Sequence, residues 1–204
     1  MSSESQRNEI RKRIKNLRSE QTELERGARS AAIGEMLGSL HEFQAARKVA
    51  FYSSTQGEVK TDEMIDSALR EGKKISVPMV NAKSPEITFH QIRSRKNLKL
   101  GEYGILEPHE NDENVMNADE LDVIVVPGIA FDPKCERLGY GKGYYDLFLK
   151  EIGSLKVGLA FDFQIVPEIN RRGGDVRMDF VVTESRLFQC GVTNVGKDLI
   201  HQQK

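Results

Sequence analysis

The stretch 122–146, DVIVVPGIAFDPKCERLGYGKGYYD, constrains this chain more than any other. It begins with a continuous apolar run, Val123 to Val126. The stretch from Leu121 to Val126 reads as a strand covered on both sides, as in a parallel sheet. Pro127-Gly128 ends it, and a charged turn follows. The segment then closes on Gly139, Gly141 and Gly143, alternating around Lys142, with Tyr140, Tyr144 and Tyr145 interleaved. Few packed cores need that composition, but an anion site does. Glycines let the backbone approach a phosphate and adopt positive φ, and N–H groups at a helix start favour anions. Lys142 and Arg137 add charge, and Asp146, one turn into the following helix, is placed to hold a divalent cation. The segment is neither a Walker A loop nor a dinucleotide fingerprint, because both spacings fail. The competing reading is a glycine turn that only caps a helix.

The rest of the chain frames this segment. Residues 5–20 have helical spacing with a narrow apolar stripe of Ile10, Ile14 and Leu17. Thr22 and Glu25 form a capping box that starts a second helix, running to about residue 46. A strand is expected over 48–53, a polar loop over 54–60, a helix capped by Thr61 and ending at Gly72, and a strand over 74–80. That order is a βαβ unit and implies parallel pairing. Further strands are expected over 86–92, 155–161 and 180–183, with an irregular segment over 94–120 and a weakly patterned tail after Arg186. No repeat, linker or composition break divides 1–204. The expected fold is a three-layer αβα single domain with a mostly parallel sheet.

Composition narrows the function. Net charge is -1, so no global basic field favours nucleic acid. No apolar run approaches the roughly 20 residues of a membrane span, and the N-terminus lacks the apolar core of a signal peptide. Cys135 and Cys190 have neither metal-like nor redox spacing, which points to a reducing, cytoplasmic setting. The four histidines show no ligand pattern and read as surface or structural.

Three more features bear on chemistry. Arg7 and Arg11, four apart, project from one helix face. They are either a solvated face or two guanidinium forks aimed at phosphate. Asp175 and Asp179, with Asp146, offer the oxygens that Mg²⁺ prefers. Glu58, in the loop after the first strand, lies where open α/β sheets line a ligand crevice. No nucleophile–base pair is evident. Phosphoryl transfer, which needs mainly placement and cations, fits better.

The run Pro127-Gly-Ile-Ala-Phe-Asp132 and the segment from Arg137 to Asp146 resemble the signature of the 5-formyltetrahydrofolate cyclo-ligase family. The likeness extends to the basic N-terminal helix, the Gly57-Glu58 loop, the 104–108 segment and the 175–179 segment. It implies a domain of the NagB/RpiA/CoA-transferase type. It also implies ATP- and Mg²⁺-dependent closure of 5-formyltetrahydrofolate to 5,10-methenyltetrahydrofolate through a phosphorylated imine, with no nucleic-acid or membrane partner. The expected state is a monomer or weak homodimer. By that resemblance Arg7, Arg11, Arg137, Gly139, Tyr140, Gly141, Lys142, Gly143, Tyr144 and Tyr145 meet ATP, with Lys142, Arg137 and Tyr144 acting in catalysis. Tyr52, Glu58, Tyr103, Pro127 and Gly128 meet the folate, and Asp146 and Asp175 hold the metal. Two positions depart from the common pattern: Arg7 stands where many members have lysine, and Tyr140 where some have arginine. A folate or nucleotide sensor without turnover, and a phosphotransferase acting on another small molecule, are the alternatives.

Overall fold

Helix α1 (Ser3–Glu20) buries Arg7, Ile14 and Arg18. The three fall at helical spacings of seven and four, so a single face of the helix turns toward the protein. The structure, a computed structural model, describes residues 3–55, 57–80, 87–101, 106–108 and 114–191. The capping box expected at Thr22 is present and opens α2 (Glu23–Ser39). The helix does not run on to residue 46. Leu40 turns extended, with φ -68° and ψ 122°, and separates off the short α3 (His41–Ala45).

The chain continues through β1 (Lys48–Ala50), α4 (Asp62–Arg70), β2 (Lys74–Val80) and β3 (Ile87–Ile92). Three two-residue strands follow: β4 (Lys99–Leu100), β5 (Leu106–Glu107) and β6 (Val115–Met116). Next come β7 (Val123–Val126), the hairpin β8 (Ala130–Phe131) and β9 (Arg137–Leu138), α5 (Tyr144–Lys150), β10 (Leu155–Leu159), β11 (Phe180–Val182) and β12 (Leu187–Gln189). Eight of these strands form one sheet in the order β12-β11-β10-β7-β1-β2-β3-β6. The five from β11 to β2 pair in parallel. The remaining pairings, β11 with β12, β2 with β3 and β3 with β6, are antiparallel and lie toward the edges. The architecture is α/β with a mostly parallel sheet.

The apolar run of β7 explains the layering. Val123 and Val125 point into a core shared with Ile33, Leu37, Phe43 and Ile65 from α2, α3 and α4. Ile124 and Val126 point the other way, against Leu149 of α5. All four are buried because successive strand residues alternate faces and both faces are covered. Helix α1 instead covers the β8–β9 hairpin, with Ile14 packed among Ile129, Ala130, Leu138 and Val166.

Some local expectations change. Thr61 precedes α4, but its hydroxyl donates to the Tyr52 carbonyl rather than capping the helix. Strand β12 falls in the tail that reads as weakly patterned. It is an edge strand with exposed or half-buried residues, so no alternation marks it. The cysteine reading is corrected outright. Cys135 and Cys190 are joined in a disulfide, with Cα atoms 6.1 Å apart across 55 residues. Spacing along the chain held no sign of it, because sheet pairing brings the end of β12 beside the β8–β9 turn. The inference of a reducing compartment from the lack of metal-like or redox spacing therefore loses its ground. Of the described histidines, His90 is buried and His41 exposed.

The charged turn between β8 and β9 is ordered from within. The Asp132 carboxylate is fully buried. It accepts from the backbone N–H groups of Lys134, Glu136 and Ile169. Three such bonds satisfy a buried carboxylate and fix the hairpin that delivers Arg137.

Candidate active site

Strand β1 is the point at which the sheet reverses direction. The chain leaves it through α4 to β2 on one side, and later strands build outward through β7 on the other. Ligands in open α/β sheets bind at the carboxyl ends of the strands flanking such a point. A cavity of about 410 Å³ opens there. Tyr52, Ser53, Thr55 and Glu58 line it from beyond β1, Pro127 from beyond β7, and Arg137 with the 139–146 segment from the far side. That volume suits a small organic ligand.

The wall beyond β1 is held by its own hydrogen bonds. Tyr52 is buried and its hydroxyl donates to the Val59 carbonyl. Burial, and then the Glu58 carboxylate, push its phenol well above the ordinary range. Glu58 is 5% exposed. Its Oε2 accepts from the Thr55 N–H at 2.9 Å and its Oε1 from the Tyr140 hydroxyl at 2.8 Å. Arg26 donates to the backbone carbonyls of Glu58 and Thr55 and so holds the loop itself. Tyr140, expected with the nucleotide, thus reaches across the cavity to the carboxylate expected with the folate. Burial and the nearby Glu58 raise its phenol to about 12, so the hydroxyl remains a donor near neutral pH.

The opposite wall is cationic. Gly141 and Gly143 sit at φ 106° and 74°, conformations that side-chain-bearing residues rarely adopt. They turn the chain sharply between β9 and α5. Lys142 is exposed on this turn, with Nζ 5.8 Å from the Tyr144 ring centroid. Arg11 donates from Nε to the Gly139 carbonyl at 3.1 Å. Burial, followed by the neighbouring Arg7 charge, lowers the Arg11 pKa. Arg137 is 4% exposed and lies near the Tyr145 ring. Its Nη1 donates to the Pro127 carbonyl and its Nη2 to Asp146 Oδ1 at 2.7 Å. Burial raises the Tyr145 phenol, with Glu58 adding to the effect.

Arg7 and Arg11 do not aim at one point. Arg7 forks onto Asp175, at 2.6 and 3.2 Å, and also reaches the Asn170 carbonyl. Burial alone would raise the Asp175 carboxyl, but the Arg7 and Arg172 N–H bonds together hold it below its usual value. The Nε–H groups of Arg7, Arg18 and Arg137 are buried and have no hydrogen-bond partner. At Arg7 and Arg137, unmet donors of this kind mark where an anion would be welcome. Gly128 is reached through its carbonyl, which accepts from Arg18 and Gln164. Tyr103 lies outside the described residues, as do 104 and 105 of the 104–108 segment.

The two carboxylates expected to bind metal are positioned differently. Asp146 lines the cavity and takes bonds from Arg137 and the Val176 N–H on Oδ1. Asp175 has both oxygens committed to Arg7. Among the described residues no group of three or more histidine, cysteine or acidic side chains is arranged to hold a metal. Mg²⁺ commonly takes one or two carboxylates and completes its shell with water and phosphate oxygens. Asp146 fits that pattern. Asp175 fits it only when Arg7 is drawn off.

Arg18 is the residue that the sequence reading passed over. Its spacing carries the signal, since 7, 11, 14 and 18 fall on one helix face. The apolar stripe masked it.

A two-walled crevice at the switch point, carboxylate on one side and arginines and lysine on the other, defines a class: open α/β proteins with a ligand site at the carboxyl ends of their strands. The particular membership is plain. The chain belongs to the 5-formyltetrahydrofolate cyclo-ligase family, whose model matches residues 3–184. A mouse protein named 5-formyltetrahydrofolate cyclo-ligase is 30% identical over 87% of this chain and 91% of its own. A fission-yeast protein named as a probable enzyme of the same kind is 31% identical over 79% and 87%. The solved structure of Aquifex aeolicus 5,10-methenyltetrahydrofolate synthetase superposes with TM-score 0.81 at 34% identity, covering 97% of this chain and 99% of that one.

Proposed function

We propose that this protein closes 5-formyltetrahydrofolate to 5,10-methenyltetrahydrofolate at the expense of ATP. The observation that carries the reading is the single cavity that sets the Glu58 carboxylate across from Arg137 and Lys142. A carboxylate recognises the paired N–H donors of a pterin, while cations and unmet guanidinium N–H groups recognise a triphosphate.

The chemistry balances with nothing beyond the two substrates. The formyl oxygen attacks the γ-phosphorus and ADP leaves. N10 then adds to the activated formyl carbon and gives up its proton to the departing phosphate as the C–O bond breaks. In this reading Lys142, Arg137 and Tyr144 surround the transferring phosphoryl group, with Arg11 behind the loop. Tyr52, Glu58, Pro127 and Gly128 seat the pterin, and Tyr140 joins the two sides. Asp146, with Asp175 if Arg7 turns to phosphate, would hold Mg²⁺, which would supply charge neutralisation for the phosphates. The chain's own work is to orient the two anionic substrates and screen their repulsion.

The test is direct. Methenyltetrahydrofolate absorbs in the near ultraviolet and 5-formyltetrahydrofolate scarcely does. An absorbance rise that needs ATP, Mg²⁺ and 5-formyltetrahydrofolate together is the expected result. Binding of folate without ADP release would point to a sensor, and ADP release independent of folate to another phosphotransferase.

A further inference from the structure

We propose that Arg18 is a positioning residue of the folate side, acting through Tyr140 and Gly128 on Glu58. Three segments distant in sequence meet at its guanidinium. Nη1 donates to the Tyr140 hydroxyl at 2.9 Å and Nη2 to the Gly128 carbonyl at 2.5 Å. Its stem packs against the 57–58 loop, where a Cβ at Gly57 would stand 3.2 Å from the Arg18 Cβ. The side chain is 8% exposed, so the charge has been taken out of water at a cost that only good geometry offsets.

The chain of donors has a direction. Arg18 gives a charge-assisted bond to the Tyr140 oxygen, which polarises the hydroxyl and strengthens its own donation to Glu58 Oε1. Glu58 is therefore held at both oxygens, by Thr55 N–H on one and by Tyr140 on the other. Each oxygen keeps a second lone pair in a fixed direction. Tyr140 stands between two glycines of the cationic turn, so the same contact fixes the distance between the turn and the carboxylate. Lysine can replace only one arm of this fork, because an ammonium serves as a point donor and does not span two acceptors in one plane.

This rests on the folate reading above and deepens it. The residue touches neither substrate nor phosphate in the proposal, so its removal should appear in folate affinity and not in nucleotide affinity. In the methenyltetrahydrofolate assay, Arg18→Met is expected to raise KM for 5-formyltetrahydrofolate about 30-fold while KM for ATP and kcat move less than about threefold. Arg18→Lys should recover part of that loss. Tyr140→Phe should raise the folate KM about tenfold. The double variant should be no worse than Arg18→Met alone, because both act through one bond chain. Additive losses, or an ATP KM that rises as far as the folate KM, would overturn the proposal. If Arg18→Met does not fold by circular dichroism, Arg18→Lys decides, and a folate KM no higher than that of the wild type sinks the idea. A wild-type enzyme that turns over no folate defeats the proposed function itself. A wild-type enzyme that works, with variants that match it, defeats only the role of Arg18.

Discussion

The two walls of the cavity are built on opposite plans. The wall beyond β1 has its main groups held in place: Tyr52 bonds Val59, and Glu58 is held at both oxygens, with the Ser53 hydroxyl left unpartnered. The wall beyond β9 carries an exposed lysine on a glycine turn and a buried arginine with an unpartnered Nε–H. The first plan suits recognition of a rigid heterocycle, where a fixed acceptor array rejects poor fits. The second suits a phosphoryl group whose charge changes during reaction, where donors must remain available. Tyr140 and Arg18 are what fasten one to the other.

That contrast can be broken by experiment. The largest effect is expected at the cationic wall, where Lys142→Ala should lower kcat about 10³-fold with no change in the unfolding midpoint. Full activity in a well-folded Lys142→Ala protein would remove the phosphate role. Of similar size in free energy, but in stability rather than rate, is the disulfide that ties the β8–β9 turn to β12. Closing a loop of 55 residues is worth about 4 kcal/mol by chain entropy. Cys190→Ser should lower the denaturant midpoint by a corresponding amount, and an unchanged midpoint would mean that the bridge adds nothing. A smaller effect is expected at the wall beyond β1. Glu58→Gln keeps the shape but replaces an acceptor with a donor, and should raise the folate KM about 10²-fold with ATP KM unaffected.

The smallest effect concerns pH. The Asp175 carboxyl is depressed in the folded protein, against the push of burial, by its bonds from Arg7 and Arg172. A depressed carboxyl contributes stability above its unfolded pKa of about 3.9 and loses it as pH falls through the lower folded value. Asp175→Asn should cost about 1 kcal/mol at neutral pH, and the difference from wild type should vanish on acidification. A gap that persists in strong acid would show that the pair acts by packing and not by charge.

Much of this plan was legible in the residues. The apolar run specified a strand over 121–126 covered on both faces, and β7 forms over Val123–Val126, buried throughout. Thr22 and Glu25 specified a helix start, and both reciprocal bonds are made. The spacing of glycines around Lys142 placed a sharp turn before a helix, and α5 begins at Tyr144. Such features are local: a few neighbouring side chains and backbone groups decide them.

What only the tertiary structure decided are contacts across long sequence distances. Arg18 meets Tyr140 at a separation of 122 residues, Tyr140 meets Glu58 at 82, and Cys135 meets Cys190 at 55. Strand β12 exists because β11 offers it an edge, not because its own pattern demands one. No periodicity records these pairings, because each depends on how the strands are ordered in the sheet. The sequence by itself determined most of the elements, the family and the sharp glycine turn before α5. The sheet decided which arginine would hold the two walls of the site together.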